Sequence, residues 1–136
     1  MVNAELNDLA DKVSVRRGSA PETMKQMCSE GLAYDVVILD PPAFIQRRKD
    51  LKKGLTAYRR INELGLRLLK PGGLLVSGSC SMHLGRADLM SAMQQAAVRA
   101  GCQLLVVERG AQGPDHPIHP AIPETEYLKA MFARRD

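Results

Sequence analysis

The chain has 136 residues, of which 45% are hydrophobic and 25% charged, and its formal net charge is +4. This composition is ordinary for a soluble globular domain and excludes a disordered or low-complexity chain. The polar opening at residues 1–8 does not fit a signal peptide, and no apolar run is long enough to cross a membrane. Cys28, Cys80 and Cys102 are far apart, which argues against a disulfide framework or a metal site and predicts a cytoplasmic protein.

The predicted elements alternate between strands and helices. In chain order they are a strand at 13–16, a helix over 21–30, a strand over 34–39, a helix over 51–69, a strand at 74–77, a helix over 86–100, a strand over 103–108 and a last strand over 127–132. The strand over 34–39 is almost entirely apolar, which is typical of a central strand covered on both faces. Pro71-Gly72-Gly73 predicts a turn. The alternation predicts an α/β fold with a mostly parallel sheet.

Three segments with unusual chemistry follow predicted strands or lie in the long loop before the last one. They are Asp40-Pro41-Pro42-Ala43-Phe44, Ser79-Cys80-Ser81 and Asp115-His116-Pro117. In open α/β sheets, ligands bind at the carboxyl ends of the strands. We therefore expect the three segments to converge in space.

The Asp-Pro-Pro-Ala-Phe segment suits the binding of a planar base. Consecutive prolines remove two backbone donors and stiffen the chain, so carbonyl groups at the strand end stay free to accept hydrogen bonds. Asp40 offers a fixed acceptor, and Phe44 offers a ring for stacking. A plain strand-ending turn explains most proline pairs. The position directly after an apolar strand favours the functional interpretation here.

Cys80 is the candidate nucleophile because it stands at a predicted strand end between two hydroxyl-bearing residues. A free cysteine is more often a small buried apolar residue, and we apply that interpretation to Cys28 and Cys102. His116 could orient a substrate or assist proton transfer. Arg47 and Arg48 begin a basic run that extends to residue 60. Such a run is usually a solvated helix face, but its place beside the Asp40 segment favours contact with RNA phosphates.

Six motifs occur together in a fixed order. They are Asp40-Pro41-Pro42-Ala43-Phe44, Tyr58-Arg59-Arg60-Ile61-Asn62, Leu69-Lys70-Pro71-Gly72-Gly73, Ser79-Cys80-Ser81, Asp115-His116-Pro117 and Glu126-Tyr127-Leu128-Lys129. The set resembles the PUA-domain-containing cytosine-5 methyltransferases of large-subunit ribosomal RNA, the ribosomal RNA large subunit methyltransferase I type. The likeness runs along essentially the whole chain, so residues 1–136 resemble the C-terminal portion of the methyltransferase domain.

The resemblance implies a covalent mechanism on ribosomal RNA. The thiolate of Cys80 would attack carbon 6 of a flipped cytosine, and carbon 5 would then accept a methyl group from S-adenosyl-L-methionine. Asp40 would hold the base edge, and Phe44 would receive the base. The other residues expected to bind substrate are Tyr58, His116, Arg47 and Arg48.

The resemblance also implies which residues contact the cofactor. Asp40, Pro41 and Pro42 would border its methyl-donor end, while Ser19 and Ala20 would lie near the adenine. Related enzymes usually carry an acid near the position of Ser19, and this chain does not. The family's glycine-rich cofactor loop and its RNA-binding PUA domain have no counterpart, and no Gly-x-Gly occurs in the sequence.

The implied fold is a Rossmann-like class I methyltransferase sheet of strand order 3-2-1-4-5-7-6, with the last strand antiparallel and the first two strands missing. The missing strands would lie between the strand at 13–16 and the strand over 34–39, so we expect unpaired sheet edges. We also expect the chain alone to bind the cofactor poorly and to be inactive. A second copy in a homodimer, or the missing N-terminal part, would have to supply those strands.

Two other functions stay open. An amino-methyltransferase uses a similar Asp/Asn-Pro-Pro motif on exocyclic nitrogens and needs no cysteine. A non-catalytic remnant would fold, dimerise and bind RNA through its basic run without methylating it. A nucleotide-binding dehydrogenase is disfavoured because it too needs a glycine-rich loop.

Overall fold

The computed structural model describes residues 2–136. Its helices are α1 (Val2–Glu5), α2 (Ala20–Ser29), α3 (Leu51–Arg67) and α4 (Arg86–Ala100), with short 3₁₀ turns at Arg48–Asp50 and Pro123–Thr125. Its strands are β1 (Tyr34–Leu39), β2 (Leu69–Ser79), β3 (Leu104–Gly110) and β4 (Lys129–Arg135). Within the described residues, no helix combines the length and apolarity needed to cross a membrane.

The four strands form one open sheet in the order β1-β2-β4-β3. β1 and β2 are parallel, and β4 runs antiparallel to both β2 and β3. β1, β2 and β3 therefore share one direction, and the last strand is inserted between the two that precede it. This confirms the predicted α/β fold and the predicted antiparallel last strand.

Local signals explain the bounds of α4, which match the predicted helix. At its start, the backbone N–H of Gly85 donates to the Asp88 carboxylate at 3.1 Å, which satisfies one of the free groups of a helix end. At its end, Gly101 has φ of 69°, a left-handed conformation that glycine adopts without strain. The buried residues of α4 include Leu89 and Met93 on one side.

α3 and α4 cover one face of the sheet and form the core with it. A Cβ on Gly65 of α3 would lie 3.1 Å from Leu39 Cδ1 and 3.3 Å from Leu75 Cδ1, so the helix backbone lies close to β1 and β2. Leu75 and Met131 belong to the same buried cluster as Leu89 of α4. We call this side the covered face.

The opposite side of the sheet, which we call the open face, has no layer packed on it by residues 2–136. Val36 is 51% exposed and Ile38 is 69% exposed. Their partners across β2 are Leu74 and Val76, and Val76 in turn pairs with Phe132 of β4. The prediction that the strand over 34–39 is covered on both faces is therefore wrong for this chain, since helices pack on one face only.

Two further predictions of secondary structure are wrong. Residues 13–16 form no strand and are exposed, because no strand among residues 2–136 lies beside them to complete the hydrogen bonds. The Pro71-Gly72-Gly73 turn is instead a bulged part of β2: Tyr34 pairs with Leu69, whereas Val36 pairs with Leu74. The bulge takes up the extra residues of β2, and Gly72 adopts φ of 77° within it.

Candidate active site

The carboxyl ends of β1 and β2 bring Asp40 and Cys80 to the same edge of the sheet. The two strands are parallel neighbours, and Leu39 pairs with Ser77 just before their ends. Asp40 lies over the next residue of β2, since its Oδ1 is 3.7 Å from the point where a Cβ on Gly78 would stand. The Asp40 carboxylate therefore lies beside Gly78, which precedes Cys80 by two residues on the neighbouring strand.

Hydrogen bonds show which way the residues around Cys80 point. The Tyr58 hydroxyl of α3 lies 2.7 Å from Ser79 Oγ and 3.0 Å from Ser81 Oγ, so both serines point to the covered face. Successive side chains of an extended chain point to opposite sides. Cys80, which is partly exposed, therefore points to the side of Gly78 and Asp40.

A buried network holds the two strand ends together. Besides its bonds to Tyr58, Ser81 Oγ accepts the backbone N–H of Ile45 at 3.4 Å, and Ser79 Oγ accepts the backbone N–H of Ser81 at 3.1 Å. The rings of Phe44 and Tyr58 meet edge to face, with centroids 4.9 Å apart and planes at 64°. The network fixes the Asp40 segment and the Cys80 turn relative to α3.

Tyr58 has a different place from the one expected for a substrate-binding residue. Its exposed fraction is 0%, and its hydroxyl is already bonded to Ser79 and Ser81. A direct contact between Tyr58 and a substrate is inconsistent with this burial. Its position is that of a residue that orients the Cys80 turn.

Lys129, to which the sequence assigned no role, lies beside the same turn. It pairs with Ser79 across β2 and β4, and only 5% of it is exposed. Its Nζ donates to the carbonyl oxygens of Ser81 at 2.6 Å and Leu84 at 2.8 Å. Burial lowers the pKa of Lys129, and Arg86 lowers it further, while Cys80 and Glu126 act in the opposite direction.

The loop with Asp115-His116-Pro117 makes its hydrogen bonds within itself and with the approach to β4. His116 Nδ1 lies 3.1 Å from Asp115 Oδ2, and both side chains are exposed. Gln112 holds the loop by donating to the carbonyl oxygens of His116 and Thr125. The loop runs from the carboxyl end of β3 to the amino end of β4, so it leaves the same edge of the sheet at which β1 and β2 end. Among residues 2–136, the hydrogen bonds named here connect the loop to itself and to the approach to β4.

The basic run forms an exposed surface beside Phe44. Arg47 and Arg48 are exposed ahead of α3, and Arg47 Nε lies 3.7 Å from Asp50 Oδ2. Lys53 and Phe44 line the same shallow cavity, which adjoins the Asp40 segment. Positive charge and an aromatic ring therefore occur together at this edge of the protein.

The residues expected near the cofactor lie at two places. Pro41 is buried and Pro42 exposed at the end of β1, while Ser19 and Ala20 are exposed at the start of α2. Among residues 2–136, no group of three or more His, Cys, Asp or Glu side chains is arranged to hold a metal ion.

The strand order defines the class of fold. The order β1-β2-β4-β3, with the last strand antiparallel, corresponds to strands 4-5-7-6 of the class I methyltransferase sheet. A candidate methyltransferase crystallised with S-adenosylhomocysteine superposes on this chain with a TM-score of 0.71 at 16% identity, covering 86% of this chain and 30% of that chain. The chain therefore has the fold of the C-terminal half of a class I methyltransferase domain.

Curated relatives narrow the similarity further. The chain is 40% identical over 131 residues to a candidate ribosomal RNA large subunit methyltransferase of Methanocaldococcus jannaschii, covering 96% of this chain and 33% of the relative. It is 40% identical over 130 residues to ribosomal RNA large subunit methyltransferase I of Shewanella amazonensis, covering 95% of this chain and 32% of the relative. The chain thus spans about a third of the length of these relatives. No protein-family model matches the chain.

Proposed function

We propose that this chain is the target-base part of an S-adenosylmethionine-dependent RNA methyltransferase that methylates carbon 5 of a cytosine in ribosomal RNA. The observation that carries the proposal is the position of Asp40 and Cys80 directly after the ends of two adjacent parallel strands, at the same edge of the sheet. The names of the relatives support the reaction class and ribosomal RNA as the substrate. The cytoplasm is the compartment that such a substrate implies.

The proposed chemistry begins at carbon 6 of the cytosine. The Cys80 thiolate forms a bond to carbon 6, the ring double bond opens toward carbon 5, and N3 gains a proton under the influence of Asp40. Carbon 5 is then nucleophilic enough to accept a methyl group. A general base removes the carbon 5 proton, the bond between sulfur and carbon 6 breaks as the ring double bond re-forms, N3 gives up the proton that it gained, and Cys80 returns to a thiolate.

The described residues fit S-adenosylmethionine at its methyl-donor end only. Asp40 and Pro41 stand at the end of β1 and would border the sulfonium, which supplies the methyl group when the cofactor is bound. Ser19 is exposed before α2, and the sequence contains no Gly-x-Gly to hold the rest of the cofactor. We therefore expect weak binding by this chain alone. Tight one-to-one binding in a calorimetric titration of the monomer would contradict this.

The nucleophile can be tested without the cofactor. We expect RNA that contains 5-azacytosine, whose carbon 6 is strongly electrophilic, to form a covalent complex with the chain on a denaturing gel. Cys80→Ala should abolish the complex, while Cys28→Ala and Cys102→Ala should keep it, because Cys28 lies in α2 and Cys102 lies before the amino end of β3, away from the carboxyl ends of β1 and β2. A complex that survives in Cys80→Ala would remove Cys80 from the mechanism.

Methyl transfer itself is tested together with the part of the relatives that this chain does not span. We expect activity when this chain is combined with the N-terminal two thirds of the Shewanella relative, with radiolabelled S-adenosylmethionine and ribosomal RNA. The partner in the cell would be either a second copy of this chain or a polypeptide equivalent to that portion. If the mixture methylates RNA equally well with Cys80→Ala, the target is an exocyclic nitrogen and the amino-methyltransferase interpretation holds.

The basic run supplies a separate test of RNA binding. Removing one side chain that binds a phosphate of single-stranded RNA should reduce the slope of log affinity against log salt by about 0.7. We expect this change for Arg47→Ala and Arg48→Ala, but not for Arg99→Ala, an exposed arginine on α4. Salt-dependent RNA binding without any methylation in the combined assay would indicate a non-catalytic remnant.

A further inference from the structure

A polar groove lies between α3 and α4, and we call it the α3–α4 groove. Its polar lining consists of two cations, one acid and three neutral hydrogen-bonding side chains, namely Lys52, Arg59, Asp88, Thr56, Ser91 and Gln95. Gln95 of α4 joins the two helices, since its Oε1 accepts a hydrogen bond from Arg59 Nη1 of α3 at 3.5 Å. Its Nε2 donates to Ser91 Oγ at 3.3 Å. The groove therefore has a continuous row of polar groups along it.

The two cations of the α3–α4 groove are not neutralised by neighbouring acids. Among residues 2–136, no carboxylate forms an ion pair with Lys52 or Arg59. Glu63 stands four residues after Arg59, the usual spacing for a helical ion pair, but its carboxylate binds Arg67 at 3.0 Å instead. Asp88 accepts a backbone N–H at the start of α4. The arrangement leaves positive charge in the groove for an anion from outside the chain.

The α3–α4 groove begins beside the candidate active site. Lys52 and Lys53 are consecutive residues at the start of α3, and Lys52 lines the groove while Lys53 lines the cavity that contains Phe44. Arg59 follows Lys52 by seven residues, which corresponds to about 10 Å along the helix. Successive phosphates on one strand of a DNA duplex rise by only about 3.4 Å. The two cations are therefore far enough apart to contact different phosphates of one strand.

We propose that the α3–α4 groove binds the phosphate backbone of the RNA strand next to the target base, with Lys52 and Arg59 as its cations. The proposal rests on the proposed function, in which RNA is the substrate. Phosphate groups are bound by arginine and lysine and also by serine, threonine and glutamine, and the groove offers all five kinds of side chain. Such contacts carry no information about base sequence, so the groove positions the RNA and does not select the target.

The experiment uses two neighbouring glutamines of α4. Gln95→Glu places a carboxylate where an amide now accepts from Arg59, so the new acid should pair with Arg59 and withdraw it from RNA. Gln94→Glu is the matched control, because Gln94 is also exposed and the substitution changes the net charge equally, but Gln94 does not line the groove. The affinity of the full chain for a single-stranded RNA that contains 5-azacytosine is measured at several salt concentrations.

We expect Gln95→Glu to reduce the slope of log affinity against log salt by about 0.7, the contribution of one phosphate contact, while Gln94→Glu keeps the slope of the unchanged chain. Lys52→Gln should reduce the slope by a similar amount. Lys70→Gln, which changes an exposed lysine paired with Asp35, should not. Equal slopes for Gln95→Glu and Gln94→Glu would overturn the proposal.

The adduct between Cys80 of the unchanged chain and the same RNA separates this proposal from the proposed function. If the adduct forms but the slopes are equal, the groove does not bind RNA and the proposed chemistry stands. If the slopes differ but no adduct forms, the groove binds RNA and the proposed chemistry is wrong. If Gln95→Glu weakens the binding of polyglutamate but not that of RNA, the groove binds an acidic polypeptide and the proposal is overturned.

Discussion

The two faces of the sheet carry similar apolar side chains but have different surroundings. On the covered face, Leu75 and Met131 are fully buried under α3 and α4. On the open face, Val36 and Ile38 are more than half exposed, although they belong to the most apolar strand of the chain. The comparison teaches that the residues of this chain complete a core on one side of the sheet only.

The open face has physical consequences for the isolated chain. It adjoins the free edge of β1, since β2 is the only neighbour of β1 among residues 2–136. An unpaired edge next to exposed apolar side chains favours association with another polypeptide. The candidate active site lies at the end of this same edge, so a polypeptide that bound to the open face would also lie near Asp40.

The largest expected difference between the two faces is in stability. Leu75→Ala should reduce the free energy of unfolding by about 2–5 kcal/mol, because it leaves a cavity in the buried cluster. Ile38→Ala removes a side chain of the same size, but we expect a change within about 0.5 kcal/mol, because that side chain is exposed already. Chemical denaturation followed by circular dichroism measures both. An equally large loss for Ile38→Ala would mean that the open face is covered in solution.

A second pair of substitutions compares the space at two glycines. A Cβ on Gly54 of α3 would lie 2.1 Å from Ile45 Cγ1, so Gly54→Ala should destabilise the protein by about 1–3 kcal/mol through overpacking. A Cβ on Gly78 would meet nothing closer than 3.4 Å, so Gly78→Ala should fold normally. Its methyl group would stand beside Asp40, and we expect it to reduce the 5-azacytosine adduct. Normal stability for Gly54→Ala would show that the Phe44-Ile45 segment gives way easily.

How much the sequence could reveal differs between the parts of the site. The positions of Asp40 and Cys80 follow from two adjacent parallel strands, which apolar runs and the chain order predict well. The contact between Lys129 and Ser81 spans 48 residues and exists because β4 inserts between β2 and β3. Neither periodicity nor local spacing carries that pairing, so the position of Lys129 beside the Cys80 turn could not be predicted.

The same distinction, between features set by local sequence patterns and features set by distant contacts, applies to the secondary structure. The helix over 86–100 and the strand over 34–39 have the predicted bounds, because strong local patterns and end signals specify them. Residues 13–16 have the composition of a strand, but a strand also requires a neighbour for its hydrogen bonds. The burial of Tyr58 could not be predicted from the sequence either, because a tyrosine near a candidate site suits a substrate contact as well as an internal hydrogen bond.

A third prediction concerns the Tyr58 network on the covered face. Tyr58→Phe removes the hydroxyl that bonds Ser79 and Ser81, and we expect a loss of about 1 kcal/mol in the free energy of unfolding. Tyr34→Phe, at the exposed start of β1, is the matched control and should have no effect. Alkylation of Cys80 by iodoacetamide should also become faster in Tyr58→Phe, because the turn loses its anchor and the sulfur becomes more exposed. Equal stability of the two variants would show that the hydrogen bonds of the Tyr58 hydroxyl do not stabilise the fold.

The smallest expected effect on stability comes with the clearest effect on association. Ile38→Lys places a charge on the open face beside the free edge of β1, and the folded chain should tolerate it because the side chain is 69% exposed. We expect the substitution to reduce concentration-dependent self-association in sedimentation velocity. Leu6→Lys changes a side chain that is 77% exposed but distant in sequence from the sheet, and should leave association unchanged. If Ile38→Lys self-associates as much as the unchanged chain, contacts between copies do not use the open face, and its cover would have to be a different polypeptide.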